Sequence, residues 1–216
     1  MRQPQMDDCL LCGGSSETVS WTLFFKTTAI CKKCRIRFKK WEAQSETPLM
    51  KRNERFLMKQ SGLQLKIHSL YEYDETAQSF MTQFKYQEDW LLAGCFRKEV
   101  RQLLQLHKSK AVIVPIPQAE RSKRFFNQTE ALLNETKMSY EPILMTNSAK
   151  RQAQKTRTNR LTATDEFECI RTCSRTQALL FDDVCTTGAT LYRAQRCLLK
   201  QGIEVIGACV LFRVKK

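Results

Sequence analysis

The sequence predicts a mixed α/β protein built on a parallel sheet, with a small four-cysteine metal module ahead of it. Three observations carry this. Over the last two thirds of the chain, short apolar runs rich in β-branched residues alternate with amphipathic stretches of helical spacing, the pattern of strand-helix-strand units. Two Cys-x-x-Cys pairs fall between Cys9 and Cys34. An apolar run that ends in Asp182-Asp183 passes at once into a hydroxyl-rich turn and a further helical stretch.

A chain of 216 residues suits one average domain with a small appendage. Its 36 Lys and Arg against 22 Asp and Glu leave a formal charge of +14, which favours an anionic partner such as a nucleic acid or a phosphorylated ligand. Met1-Arg2-Gln3-Pro4-Gln5 leads into acids and cysteines with no apolar run, so a secretory signal is not expected and a cytoplasmic location is. No stretch approaches the roughly 18 apolar residues of a membrane span. Ten cysteines in that compartment are expected as thiols, and metal binding explains those that are paired in sequence.

Taken in order, Cys9-Leu10-Leu11-Cys12-Gly13-Gly14 and Cys31-Lys32-Lys33-Cys34 are separated by 18 residues, the spacing of a four-cysteine zinc site. Zinc takes four soft ligands as a tetrahedron, and each Cys-x-x-Cys turn brings two thiolates to one side of the ion. With all four positions filled by protein, such a site is structural, and its binding energy replaces the core that so short a segment lacks. Residues 1–41 are therefore read as a zinc-binding module. Residues 42–62, with Thr47-Pro48 and the basic Lys51-Arg52-Asn53-Glu54-Arg55, are read as a linker holding one helical piece, and residues 63–216 as the main domain. Within it, residues 74–84 and 90–106 have helical spacing, the second aligning Leu92, Phe96, Val100, Leu103 and Leu104 on one face. Residues 111–116 read as a buried strand stopped by proline, 127–133 as a helix, and 141–145 and 177–181 as strands. Residues 188–200 read as a helix with Gly202 where a cap belongs, and 204–212 as a last strand. Cys95, Cys197 and Cys209 fit core positions, Cys169 and Cys173 form a weak pair without partners, and His68 and His107 are isolated.

The segment from Ala178 to Thr190 is the richest in chemistry. Carboxylates at a strand end accept hydrogen bonds from vicinal ribose hydroxyls, and amides at a helix start, with the hydroxyls of Thr186, Thr187 and Thr190, wrap a phosphate. Gly188 lets the backbone approach closely. Paired aspartates alone equally suit a metal or an acid and base, and a hydroxyl-rich turn alone suits a helix cap. Their order after a strand is what favours a ribose 5-phosphate ligand. Glycine-rich dinucleotide and P-loop lysine motifs are absent.

The same thirteen residues resemble the PRPP-binding motif of type I phosphoribosyltransferases. The resemblance implies that fold for the sheet, Asp182 and Asp183 on the ribose hydroxyls, and Thr186, Thr187, Gly188, Ala189 and Thr190 on the 5′-phosphate. Val114-Pro115-Ile116-Pro117 followed by Arg121-Ser122-Lys123-Arg124-Phe125-Phe126-Asn127-Gln128 resembles a second signature, that of the ComF family of late-competence proteins, as do Lys85-Tyr86 and the cysteine pairs. That family usually has glycine where Phe125 stands. The likeness places Pro115, Ile116, Pro117, Arg121 and Arg124 at the pyrophosphate and a mobile basic loop at Lys155, Arg157 and Arg160. It implies PRPP with magnesium as ligand, a part in DNA uptake during natural transformation, and a competence helicase or other DNA-uptake proteins as partners. Lys32, Lys33, Arg35, Arg37, Lys40 and Trp41, with Phe38 between them, form a basic and aromatic patch that suits single-stranded DNA, unless the two rings anchor the cysteine module instead. An active phosphoribosyltransferase acting on an unidentified acceptor, a PRPP binder without turnover, and a DNA binder with a vestigial phosphate site all remain open, and no segment reads as a nucleobase hood.

Overall fold

The computed structural model describes residues 9–14, 30–42, 46–86, 90–108, 111–118, 127–146 and 167–215. Strands β1 (Ile67–Glu72), β2 (Val112–Pro115), β5 (Gln177–Cys185) and β6 (Glu204–Arg213) form a four-stranded sheet in the order β1-β6-β5-β2. Every pairing in it is parallel. The short strands β3 (Leu144–Thr146) and β4 (Phe167–Cys169) pair antiparallel beside it.

Both faces of the sheet are covered, which is why β2, β5 and β6 read as nearly continuous apolar runs. Ile113, Leu179, Phe181, Cys209 and Leu211 point into one core. There they meet Phe80 and Phe84 of α3 (Glu75–Tyr86), Val100 and Leu104 of α4 (Arg97–Lys108), and Leu132 and Leu133 of α5 (Gln128–Thr136). The alternate residues Val112, Val114, Ala178, Leu180, Ala208 and Val210 point into the other, against Leu191, Tyr192, Ala194 and Leu198 of α6 (Ala189–Leu199). Leu57 and Met58 of α2 (Pro48–Ser61) close that second core from the side. Period-two alternation thus serves two interiors at once.

The sheet edges are not left bare. Along β1 the chain after α1 (Lys32–Arg35) runs antiparallel, with the Trp41 N–H donating to Leu70 O at 2.9 Å and the Glu72 N–H to Lys39 O at 2.9 Å. Along β2, the Glu141 N–H donates to Ile113 O at 2.9 Å.

Two sequence expectations change. Residues 90–106 are not one helix: a 3-10 helix, Trp90–Phe96, precedes α4, while the five expected core residues are buried as read. Gly94 lies in the 3-10 piece, where its backbone freedom disfavours a continuous α-helix. The strand expected over 141–145 begins only at Leu144, after Pro142, which has no N–H to give a ladder. The helix after residue 127 carries a full cap, the Asn127 side chain accepting from the Thr129 and Glu130 N–H groups.

Candidate functional site

Strand β5 ends at Asp182, Asp183, Val184 and Cys185, and α6 starts four residues later. The link is short because Gly188 takes a left-handed backbone, φ 85°, at the helix cap. A Cβ at Gly188 would stand 3.2 Å from Ile67 Cδ1, so glycine is required by both conformation and space. Thr186 and Thr187 are exposed, Thr190 is half-buried, and Thr187 Oγ1 accepts from the Ala189 N–H at 3.3 Å. The turn therefore presents hydroxyls and helix-start amides together, at the carboxyl end of the sheet where ligands of parallel sheets bind.

The two carboxylates differ in surroundings. Asp183 is 6% exposed, and its Oδ2 lies 2.6 Å from Lys85 Nζ in the last turn of α3. Asp182 is half-buried, and one of its oxygens accepts from the Asp183 N–H at 2.9 Å. Burial pushes the Asp182 carboxyl well above the usual range, and the Asp183 charge adds to this, against smaller opposing effects of the Asp183 N–H and Lys85. Beside the pair, β2 ends with Pro115 opposite Phe181, and the Ile116 N–H donates to Phe181 O at 2.9 Å. Pro115, Ile116 and Pro117 thus flank the aspartates. Arg121, Arg124 and Phe125, and the loop residues Lys155, Arg157 and Arg160, lie outside the described residues.

The sulfur atoms of Cys9, Cys12, Cys31 and Cys34 all lie within 4.8 Å of one another, with Cys12 and Cys31 at 3.9 Å. Four thiolates about 2.3 Å from one zinc stand roughly 3.8 Å apart, so the set fits a tetrahedral metal site. Gly13, at φ 65°, closes the first turn, with its N–H donating to Cys9 O at 2.8 Å. The Cys31 N–H donates to Cys9 Sγ at 3.3 Å and the Cys34 N–H to Cys31 Sγ at 3.4 Å. Burial raises the Cys9 thiol, yet the N–H groups of Cys31, Leu11 and Cys12 more than reverse this and leave it at about 6. A site that favours thiolate suits a cation.

Within the basic patch, Lys32, Lys33, Arg37 and Lys40 are exposed. Arg35 turns inward, paired with Glu99 and donating to Cys95 O at 3.2 Å. Trp41 is half-buried, with the Arg213 guanidinium carbon 5.0 Å from its ring centre. Phe38 is buried among Tyr71, Phe80, Phe96 and Phe212.

Two groups escaped sequence reasoning. Lys85 was legible only as the cation that ends an amphipathic helix. Arg213, 3% exposed and held by Glu46 and Glu54, follows an apolar strand with no sequence signal of its burial. Cys169 does have a partner, since its sulfur lies 3.6 Å from that of Cys197.

These features define a class: a mixed α/β protein with a parallel sheet, an acidic strand end facing a hydroxyl-rich helix start, and a four-cysteine cluster able to hold a metal. No protein-family model matches the chain. Competence protein ComFC of Bacillus subtilis (strain 168) is 30% identical to it over 220 residues, covering 90% of this chain and 89% of that protein. Competence protein ComFC of Streptococcus pneumoniae (strain ATCC BAA-255 / R6) is 25% identical over 218 residues, covering 95% of this chain and 99% of that protein. The chain belongs to the ComF family, that of Competence protein ComFC. Among the described residues, no helix is long and apolar enough to cross a membrane.

Proposed function

We propose that this chain is a competence protein of the cytoplasm that binds PRPP with magnesium on a type I phosphoribosyltransferase fold and acts on DNA during uptake. The observation that carries the ligand is the β5 end, where two carboxylates meet a hydroxyl-lined turn whose left-handed Gly188 opens α6. Asp182 and Asp183 would accept from the ribose hydroxyls. Thr186, Thr187 and Thr190, with the amides from Gly188 onward, would hold the 5′-phosphate, and residues 115–117 would border the pyrophosphate. Magnesium would arrive with the pyrophosphate and neutralise part of its charge.

In the same reading the four cysteines hold zinc, which closes residues 9–34 into a unit with no open coordination position. The exposed Lys32, Lys33, Arg37, Lys39 and Lys40 beside that unit support a DNA surface, because unpaired cations are what a phosphate backbone requires. A helicase or another protein of the uptake machinery would meet the chain on that DNA. Thermal denaturation with millimolar PRPP and magnesium tests the ligand. A rise in Tm that is lost in Asp183→Ala and Thr187→Ala is expected, since a ligand of the native state stabilises it. No rise at that concentration overturns the assignment. Pyrophosphate release in the presence of candidate acceptors separates a binder from a transferase.

A further inference from the structure

Lys85 closes α3, and its ammonium lies 2.6 Å from Asp183 Oδ2 with the two side chains 21% and 8% exposed. Taking two charges out of water is expensive, and a pair so placed seldom adds net stability over apolar packing. The rest of the inward face of α3 is apolar: Ala77, Phe80, Met81 and Phe84 are all buried. A cation brought by such a face to a strand-end carboxylate answers to something other than packing.

The ammonium also stands where a ligand hydroxyl would have to approach. A diol that uses Asp183 must share the carboxylate with it or displace it. Lysine is suited to displacement, being a point charge with three donors on a flexible four-carbon stem. A displaced ammonium in a partly desolvated site needs another anion at once, and the ligand is the only source that moves in with the diol. Residues 115–117, next to Phe181 and hence to Asp182, border the place where a substituent on ribose C1 would lie.

We propose, resting on the ribose 5-phosphate reading of the β5 end, that Lys85 makes the site select ligands carrying an anion on ribose C1. The ammonium exchanges its contact with Asp183 for that anion as the diol reaches the carboxylate. Lys85 is therefore a specificity residue for the C1 pyrophosphate, in addition to being the partner of Asp183.

Titration calorimetry with PRPP and with ribose 5-phosphate, each with magnesium, on the full chain and on Lys85→Met tests this. The unaltered protein should bind PRPP at least about tenfold more tightly than ribose 5-phosphate. Loss of a charge-assisted hydrogen bond should weaken PRPP by about 10- to 100-fold and leave ribose 5-phosphate within about threefold, so that the preference collapses. Lys85→Gln, which still gives Asp183 a donor, should show the same collapse and serves if the methionine variant does not fold. Equal weakening of both ligands would overturn the proposal, because Lys85 would then only orient Asp183. Tighter PRPP binding would overturn it too, making the ammonium a mere competitor. Should the unaltered protein bind neither ligand, the ribose 5-phosphate reading itself falls, a result distinct from either of these.

Discussion

Replacing Phe38 by alanine tests how the cysteine module is fastened to the sheet. Phe38 lies four residues beyond Cys34, is 5% exposed, and has ring centres of Tyr71, Phe80, Phe96 and Phe212 at 5.9, 6.0, 5.0 and 6.1 Å. Truncating a buried phenylalanine costs about 3–5 kcal/mol through lost transfer energy and the cavity left behind. Edge-on partners such as Phe96, at an interplanar angle of 90°, put this site toward the upper half of that span. At roughly 2–4 °C per kcal/mol for a chain of this size, Tm should fall by about 8–16 °C. Phe38→Leu, which keeps most of the volume, should lose less than half as much. Urea denaturation followed by circular dichroism gives the free energy, and metal analysis of the variant should still find its zinc, because the cysteine turns are local. A loss under about 1 kcal/mol would refute the reasoning, since the ring could not then be part of the principal core.

Metal analysis of the unaltered protein should find one zinc per chain, and cobalt substitution should give the thiolate absorption of a tetrahedral sulfur site; a protein that is fully folded, metal-free and indifferent to chelators would contradict both. Asp182→Asn should raise Tm at pH 7.5. Its carboxyl titrates above the ordinary value of 3.8 in the native state, so the group loses stability for the fold as pH rises through that raised value and costs nothing below about 3.8, where the variant's gain should vanish. A lower Tm at neutral pH would mean that its neighbours stabilise the charge. Gly188→Ala should cost about 1–2 kcal/mol from the left-handed backbone alone and should weaken PRPP, as read by calorimetry. Single-stranded DNA binding, followed by anisotropy, should fall with salt at a log-log slope of roughly −0.7 per phosphate contacted, and charge reversal of Lys32, Lys33 and Lys40 should flatten it.

How much of this was legible in the sequence depends on burial. Strands β2, β5 and β6 are buried on both faces, so their apolar runs stand out at residues 111–116, 177–181 and 204–212. Strand β1 was not read as one. It holds a sheet edge, only Tyr71 of its six residues is fully buried, and Ile-His-Ser-Leu-Tyr-Glu has neither a clean alternation nor a β-branched run. The pair β3–β4 escaped in part because each strand has three residues, and the two are joined by contacts between positions distant in sequence. Spacing found the cysteine cluster, since a Cys-x-x-Cys turn is a local object. Spacing could not find His68 stacked on His107 at 3.5 Å, or Cys169 beside Cys197, because those meetings are made by the topology. The acidic strand end was legible by residue type and order. Its asymmetry was not, because the lysine that distinguishes Asp183 from Asp182 is almost a hundred positions away.

The segment between the cysteines and β1 is tied to the ligand end of the sheet through Arg213. That residue ends β6, opposite Cys185 of β5, and so stands beside the start of the phosphate turn. Its guanidinium meets Glu46 before α2 and Glu54 within it, and covers a face of Trp41. A buried charge of this kind is satisfied only by the set of partners, so losing one carboxylate leaves the arginine uncompensated. Residues 41–54 are thereby fixed against the two strand ends that flank the turn. The consequence for DNA follows from the same contacts. Phe38 is in the core, Arg35 is paired with Glu99, and Trp41 lies under Arg213, so the patch meets a nucleic acid chiefly through exposed lysines and Arg37. Binding through point charges on long side chains is salt-sensitive and tolerant of sequence, the behaviour needed on a strand whose sequence is arbitrary.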